Sequence, residues 1–335
     1  MAKRYLVTGC AGFIASKVTE LLLRRGHCVV GIDNLDDAYD VRLKQWRLDQ
    51  LHHLDGFQFL QLDITNRESL SNAFDQQASS TAKSPAFDAV LHLAARAGVR
   101  DSVDRPEIYY RANCDGTLNV LEACRKAKIP KFVFASTSSL YGDQREVPFH
   151  EGLNTDRPLS PYAASKKAAE TLAYAYHHLY GLDISIVRYF TVYGPAGRPD
   201  MCIFRFIRHI AQGEPLVLFG DGTQQRDFTF LDDAAAGTIA ALKPTGYEIF
   251  NLAAGRSIPL ASVIDQIARQ LGQKPHIEQR SPHSADVATT WGDISKAKRL
   301  LNWQPQTPFD EGLRQAVDWF RNNNQLAVSV DLNEK

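Results

Sequence analysis

A tyrosine stands four residues ahead of a lysine in Tyr162-Ala163-Ala164-Ser165-Lys166, at the start of a helical pattern. That spacing brings both side chains to one face of a helix. A phenol that titrates near 10 in water is a poor base at neutral pH. A neighbouring ammonium favours the phenolate, which then accepts a proton from a substrate hydroxyl. The pair alone is a weak signal, because the same spacing occurs in helices where the tyrosine packs and the lysine is solvated. It gains weight from Ser136-Thr137-Ser138-Ser139-Leu140-Tyr141-Gly142, which closes an apolar β-rich run. A hydroxyl there shares the reacting proton with Tyr162.

A second constellation opens the chain. Thr8-Gly9-Cys10-Ala11-Gly12-Phe13-Ile14-Ala15 follows one apolar run and begins a helical one. Gly9 and Gly12 let the backbone approach a pyrophosphate at the helix N-terminus, while Ala15 is small enough for close helix–strand packing. Taken alone, such glycines read equally well as a structural turn. About 20 residues on, the next run ends at Ile32-Asp33-Asn34, the spacing of a ribose-binding acid. The Asp33 carboxylate accepts ribose hydroxyls and repels a 2′-phosphate, so NAD is expected rather than NADP; a cap or turn aspartate is the plainer alternative. Asp63-Ile64 is placed to meet adenine, and Leu93-Ala94-Ala95 to pass beside the cofactor's phosphates and ribose.

These groups need elements to carry them. Strands are expected at 5–7, 28–32, 57–62, 89–93, 132–135 and 184–187, and helices at 14–25, 41–51, 67–76, 107–127 and 162–180. Such alternation predicts an α/β fold, a Rossmann-type doubly wound parallel sheet with helices on both faces. The polar run 76–85 reads as a surface loop without function. After Phe190 the regularity breaks at Gly194, Pro195, Gly197 and Pro199. Beyond lie an expected helix at 203–212, short strands at 216–219, 227–230 and 249–251, and an amphipathic helix at 309–321. The expected division is a dinucleotide-binding part over 1–190 and a smaller α/β substrate lobe over 191–325, interleaved with the first and closing over the carboxyl edge of the sheet. The tail from Asn322 is polar and reads as frayed, with residues 326–335 outside both parts.

Composition narrows the partners. The 335 residues carry 38 Lys and Arg against 38 Asp and Glu, so no basic field favours nucleic acid or an anionic membrane. The five cysteines are scattered and without CxxC spacing, which argues against a disulfide framework or a metal site and for a reducing compartment. The start, Met-Ala-Lys-Arg-Tyr-Leu-Val-Thr-Gly, does not read as a signal peptide, and no apolar run approaches the roughly 18 residues of a membrane span. A soluble cytoplasmic protein is expected.

Over nearly its whole length the chain resembles the extended short-chain dehydrogenase/reductases. The resemblance implies a catalytic triad of Thr137, Tyr162 and Lys166, with Lys166 also holding the nicotinamide ribose. It implies cofactor contacts at Asn113 and Phe190, and a nucleotide diphosphate held by Arg226 in Gln225-Arg226-Asp227-Phe228-Thr229. The stretches Asp33-Asn34-Leu35, Tyr39-Asp40-Val41-Arg42-Leu43-Lys44, Ala97-Gly98-Val99-Arg100 and Arg188-Tyr189-Phe190-Thr191-Val192-Tyr193-Gly194-Pro195-Ala196-Gly197-Arg198-Pro199-Asp200-Met201 look like one subgroup, the UDP-glucuronate 4-epimerases. Ser138, Thr191 and Arg198 then form a pocket for a C5 carboxylate, with Arg100 also toward the substrate. Arg198 as an ordinary loop arginine and Arg226 as a structural one are the plainer alternatives.

Related decarboxylases carry glutamate where Ser139 stands, which favours epimerisation. Departures from the family pattern are Cys10, Ala15 and the run Arg280-Ser281-Pro282-His283-Ser284-Ala285-Asp286, where Arg280 is the candidate for a second diphosphate contact. A UDP-glucose 4-epimerase, an oxidative decarboxylase, a net dehydrogenase and a non-catalytic redox sensor are the competing readings. The resemblance also implies a homodimer through a four-helix bundle; burial of the same helices within one subunit is the alternative.

Overall fold

The computed structural model describes residues 2–77, 85–281 and 287–332. Its strands include β1 (Arg4–Thr8), β2 (Cys28–Asp33), β3 (Phe57–Gln61), β4 (Ala89–His92), β5 (Lys131–Thr137), β6 (Asp183–Tyr189), β7 (Thr191–Tyr193), β8 (Pro215–Phe219), β9 (Gln225–Arg226), β10 (Phe228–Phe230) and β11 (Tyr247–Leu252). The apolar runs of the first half fall where the sequence predicts. Each is followed by a crossover, so every pairing in the main sheet is parallel, in the order β3-β2-β1-β4-β5-β6-β11. The order reverses between β1 and β4. At such a point the carboxyl ends of neighbouring strands lead their loops apart and leave a crevice.

The chain crosses the boundary expected near residue 190. β11 pairs with β6 from Tyr247 opposite Ile184 to Leu252 opposite Tyr189, and so completes the main sheet from the second half of the sequence. Phe250 and Leu252 are fully buried there, and the helix Leu231–Ala240 packs on the helix Phe13–Arg24. A second core gathers the helices Cys202–Gln212, Leu260–Leu271 and Phe309–Asn322 around β8, which pairs in parallel with the strand His276–Arg280.

Two expectations need correction. The segment after Asn322 is not frayed over its described part. A short helix, Asn324–Ser329, continues the chain, and Ala327, Val330 and Leu332 are buried against the second core. The reason is spacing: a few apolar residues in a polar tail suffice to dock it. The single helix expected over 107–127 is broken into Pro106–Tyr110, a π turn Arg111–Asp115 and Gly116–Lys126. The π turn rotates Asn113 inward, where it is fully buried. Of the polar loop expected at 76–85, residues 78–84 lie outside the described residues, as do residues 282–286 of the run that departs from the family pattern.

Candidate active site

The crevice at the sheet's carboxyl edge is a cleft of about 720 Å³. Its floor at one end is the glycine turn. Gly9 sits at φ +75°, and a Cβ there would lie 2.8 Å from the Ala94 backbone, so a side chain is excluded twice over. The Gly9 amide donates to Ile32 O (2.6 Å) and the Gly12 amide to Gly9 O (2.8 Å), which fixes the turn. Gly12 begins the helix Phe13–Arg24 without a side-chain cap, leaving the first-turn amides of Phe13 and Ile14 for an anion. Cys10 is a packing residue: the Cβ that Gly31 lacks would lie 2.7 Å from its sulfur.

Asp33 ends β2 and is buried. Its carboxylate accepts from Ala11 N (3.1 Å) and Leu35 N (2.8 Å), which ties the acid to the glycine turn. Burial raises its pKa, with Lys44 and the two amides pulling the other way. Asn34 donates to Asp63 (3.1 Å) and so joins the ends of β2 and β3. Asn34, Asp63, Ile64, Leu93, Ala94 and Ala95 all line the cleft. A bare glycine turn, an uncapped helix start and a buried acid 24 residues beyond Gly9 fit a dinucleotide.

The helix Pro161–Tyr180 starts where it does because the Ser160 hydroxyl accepts from Ala163 N (3.2 Å) and Pro161 fills the first position. This holds Tyr162 in the first turn with Lys166 one turn on. Thr137, at the end of β5, caps the turn Ser138–Tyr141 by accepting from Ser139 N (3.1 Å), so its hydroxyl faces the cleft at a fixed position. Desolvation raises the Tyr162 pKa; a hydrogen bond from Thr137 and the charge of Arg198 draw it back. Lys166 is buried with its ammonium 4.4 Å from the Phe134 ring, and burial pulls its own pKa down to about 7.

Asn113 does not reach the cleft surface. Its Oδ1 accepts from Arg96 N (2.8 Å), and its Nδ2 donates to Arg96 O (3.0 Å) and Ser165 Oγ (2.9 Å). It therefore locks the loop after β4 to the residue preceding Lys166. His92 went unnoticed in the sequence because a histidine inside an apolar strand carries no local signal. It is fully buried between Thr8 (Nδ1, 2.7 Å) and Thr117 (Nε2, 3.0 Å) and stacked on Phe134. Burial holds it neutral, with its pKa near 3.

Phe190, Thr191, Arg198 and Arg226 also line the cleft, as does Ser138 beside Thr137. Arg198 is not an open cation. It forms a two-pronged pair with Asp200 (3.0 and 2.6 Å), donates to Ala97 O (3.1 Å), and lies over the Tyr39 ring at 5.4 Å. Arg226 donates to Gln225 O (2.8 Å) at the cleft edge. Arg100 and Arg280 fall outside the cleft lining: Arg100 stacks on Phe219 at 4.3 Å, and Arg280 ends an exposed strand whose neighbour is Phe219. The cleft also takes in Tyr39, Arg96 and Arg105 from three inter-element segments and Arg111 from the π turn.

A crevice at the reversal of a parallel sheet, floored by a glycine turn and walled by a Tyr–Lys helix, defines a Rossmann-type protein of the dehydrogenase kind. Comparison gives the particular family. The model of the GDP-mannose 4,6 dehydratase family matches residues 6–316. A UDP-glucuronate 4-epimerase of Thermodesulfobacterium geofontis is 55% identical over 97% of this chain and 98% of its own length. Among solved structures, the UDP-glucuronic acid 4-epimerase of Bacillus cereus in complex with UDP-glucuronic acid and NAD superposes with a TM-score of 0.88 at 36% identity, covering 95% of this chain and 99% of that one. The UDP-glucose 4-epimerase of Thermotoga maritima with UDP-glucose gives 0.85 at 30% identity, covering 96% and 99%. The chain belongs to the GDP-mannose 4,6 dehydratase family of extended short-chain dehydrogenase/reductases.

Proposed function

We propose that this protein interconverts UDP-glucuronate and UDP-galacturonate by NAD-dependent epimerisation at C4. The reading rests above all on the whole-chain likeness to a UDP-glucuronate 4-epimerase at 55% identity. The proximity of Arg198 to Tyr162, in a cleft that Thr191 also lines, supports it. Gly9, Gly12, Phe13, Ile14, Asp33 and the loop after β4 would hold the cofactor. NAD bound there would supply a reversible hydride acceptor for C4. Tyr162 removes the proton from the C4 hydroxyl, and Thr137 shares it. Lys166, whose pKa burial lowers to about 7, gains a polar neighbour when a ribose approaches. Arg226, in the cleft lining, holds the diphosphate, with Arg280, outside that lining, as the candidate for a second contact. The 4-keto sugar turns in the cleft, and Tyr162 returns the proton to the oxygen at the new configuration.

Uronate chemistry adds a constraint. A 4-keto uronate is a β-keto acid and loses CO₂ once its carboxylate bond aligns with the carbonyl π system. Ser138, Thr191 and Arg198 hold the carboxylate out of that alignment through charge-assisted hydrogen bonds. The Asp200 pair gives Arg198 a fixed direction for this task, and a serine at 139 leaves no acid beside the ketone. The division of labour follows the chain: residues 1–190 serve the cofactor and 191–325 chiefly the sugar nucleotide.

The protein acts as a cytoplasmic homodimer. Its free cysteines favour a reducing compartment. Exposed Tyr110, Leu118, Leu179 and Tyr180 on the helices Pro106–Tyr110, Gly116–Lys126 and Pro161–Tyr180 favour a paired helical interface. Light scattering in solution gives twice the subunit mass on this reading; a monomer at micromolar concentration contradicts it. No described helix is long and apolar enough to cross a membrane. Incubation with UDP-glucuronate and UDP-glucose separately, with products identified by NMR, tests the activity. Conversion of UDP-glucose alone overturns the uronate assignment.

A further inference from the structure

Arg47, on the helix Val41–His52, is an arginine almost out of reach of water: 3% exposed. Among the described residues no carboxylate pairs with it. Its donors go instead to uncharged oxygens on three separate segments. Nη1 bonds Ala11 O in the glycine turn (3.1 Å) and Tyr39 Oη (2.6 Å). Nη2 and Nε both bond Ala196 O, at 2.7 and 3.3 Å. The guanidinium carbon lies 5.7 Å from the Phe13 ring centre and 5.4 Å from that of Tyr39. A cation buried without a counter-ion is costly unless its bonds do something the fold needs.

The Ala196 contact shows what that is. Ala196 has φ +52°, a left-handed conformation that residues with a Cβ rarely adopt. The forked bond to its carbonyl holds the bend, and Arg198 follows two residues later. Tyr39, which takes Arg47 on its hydroxyl, also carries Arg198 over its ring. One side chain thus touches both the turn that receives a dinucleotide and the loop that aims Arg198 at Tyr162. A lysine in its place would keep the charge but has no planar fork.

We propose that Arg47 is a positioning residue for the reaction: it fixes the loop 194–200, and Arg198 with it, in register with the glycine turn, so that the cofactor and sugar sites are assembled as one unit. The inference rests on the reading of Arg198 and Tyr162 given above. The groups facing Tyr162 are Arg198 with its partner Asp200, the Thr137 hydroxyl, Lys166 on its own helix, and the Tyr109 ring at 6.1 Å. Only the first of these depends on Arg47.

The test uses the NAD-loaded protein with Arg47→Lys, Arg47→Met and Tyr39→Phe, following kcat and KM for UDP-glucuronate against pH. Loosening Arg198 costs kcat about tenfold or more near neutral pH, in keeping with the effect of small misplacements. The acid limb of kcat moves to higher pH in all the Arg47 variants and less in Tyr39→Phe. Combining Arg47→Lys with Arg198→Ala moves the limb no further than Arg198→Ala alone. Should Arg47→Met fail to fold, Arg47→Lys, whose unfolding temperature is measured in parallel, decides. Folded Arg47→Lys with a wild-type limb, or additive shifts in the double variant, overturns the proposal while leaving the epimerase reading in place. A wild-type protein inactive on UDP-glucuronate overturns both.

Discussion

At the scale of single residues, the chemistry depends on one phenol whose pKa is contested. Burial lifts Tyr162, and Arg198 with the Thr137 hydroxyl opposes that lift. Removing the phenol oxygen removes the base and little else. Tyr162→Phe keeps its fold and its NAD while turnover falls on the order of a thousandfold, within the usual range for a lost general base. Purified mutant with near-normal turnover contradicts the assignment.

The sign for Arg198 follows from its charge. Taking away a cation disfavours the phenolate, and Asp200, left without its partner, disfavours it further. The tyrosine pKa rises, so the acid limb of kcat for Arg198→Ala moves to higher pH and part of the lost rate returns under alkaline conditions. UDP-glucuronate suffers more than UDP-glucose, and some turnovers release CO₂. A pH–rate series with both sugars and a CO₂ trap checks this; equal losses, no shift and no CO₂ would make Arg198 a mere loop brace. Much of this residue set was legible in the sequence because Tyr162, Lys166, Thr137 and the glycines sit in short local patterns. Arg47 and His92 were not legible. Their partners lie on other segments, 149 residues away in the case of Ala196 and 84 in that of Thr8, and no local spacing encodes such contacts.

At the scale of elements, the start of one helix matters most. Ser160 and Pro161 set where the helix Pro161–Tyr180 begins, and Tyr162 stands in its first turn. Ser160→Ala removes the cap at a cost of about 1 kcal/mol. Thermal unfolding moves to lower temperature, and kcat drops more than KM changes, because the first turn that carries the phenol is the part that frays. An unchanged kcat alongside the lower stability would detach the cap from the chemistry. The strands of the first half were readable from their apolar runs, as was the parallel arrangement from their alternation with helices. The π turn at Arg111–Asp115 was not, since it arises from the tertiary bonds of Asn113 to Arg96 and Ser165 and not from any residue preference along the helix.

At the scale of the whole molecule, the sheet and the substrate side are not built in sequence order. β11 returns from the second half to lie against β6, so the second half of the chain, which bears Thr191 on β7, Arg198 on the loop after it and Arg226 on β9, is tied to the same sheet that carries Thr137. The likeness in pattern between β11 and the other short strands of the second half hid this, because pairing partners are decided by burial of Phe250 and Leu252 and not by local sequence. Docking of the final described segment was hidden for a similar reason. Arg42 reaches Ser329 (3.0 Å) and the Asp331 amide reaches Asp40 (3.0 Å), which fastens the segment 329–331 beside the helix that carries Arg47.

The central claim is that this cleft oxidises C4 of a uronate, keeps its carboxylate and returns the opposite configuration. A time course by proton NMR, with UDP-glucuronate as the only substrate and CO₂ release followed in parallel, tests it most directly. The expected result is an approach to a mixture of UDP-glucuronate and UDP-galacturonate, reached equally from either sugar, without net NADH and without CO₂. Accumulation of a UDP-pentose with stoichiometric CO₂, or of NADH with a stable 4-keto product, would contradict it.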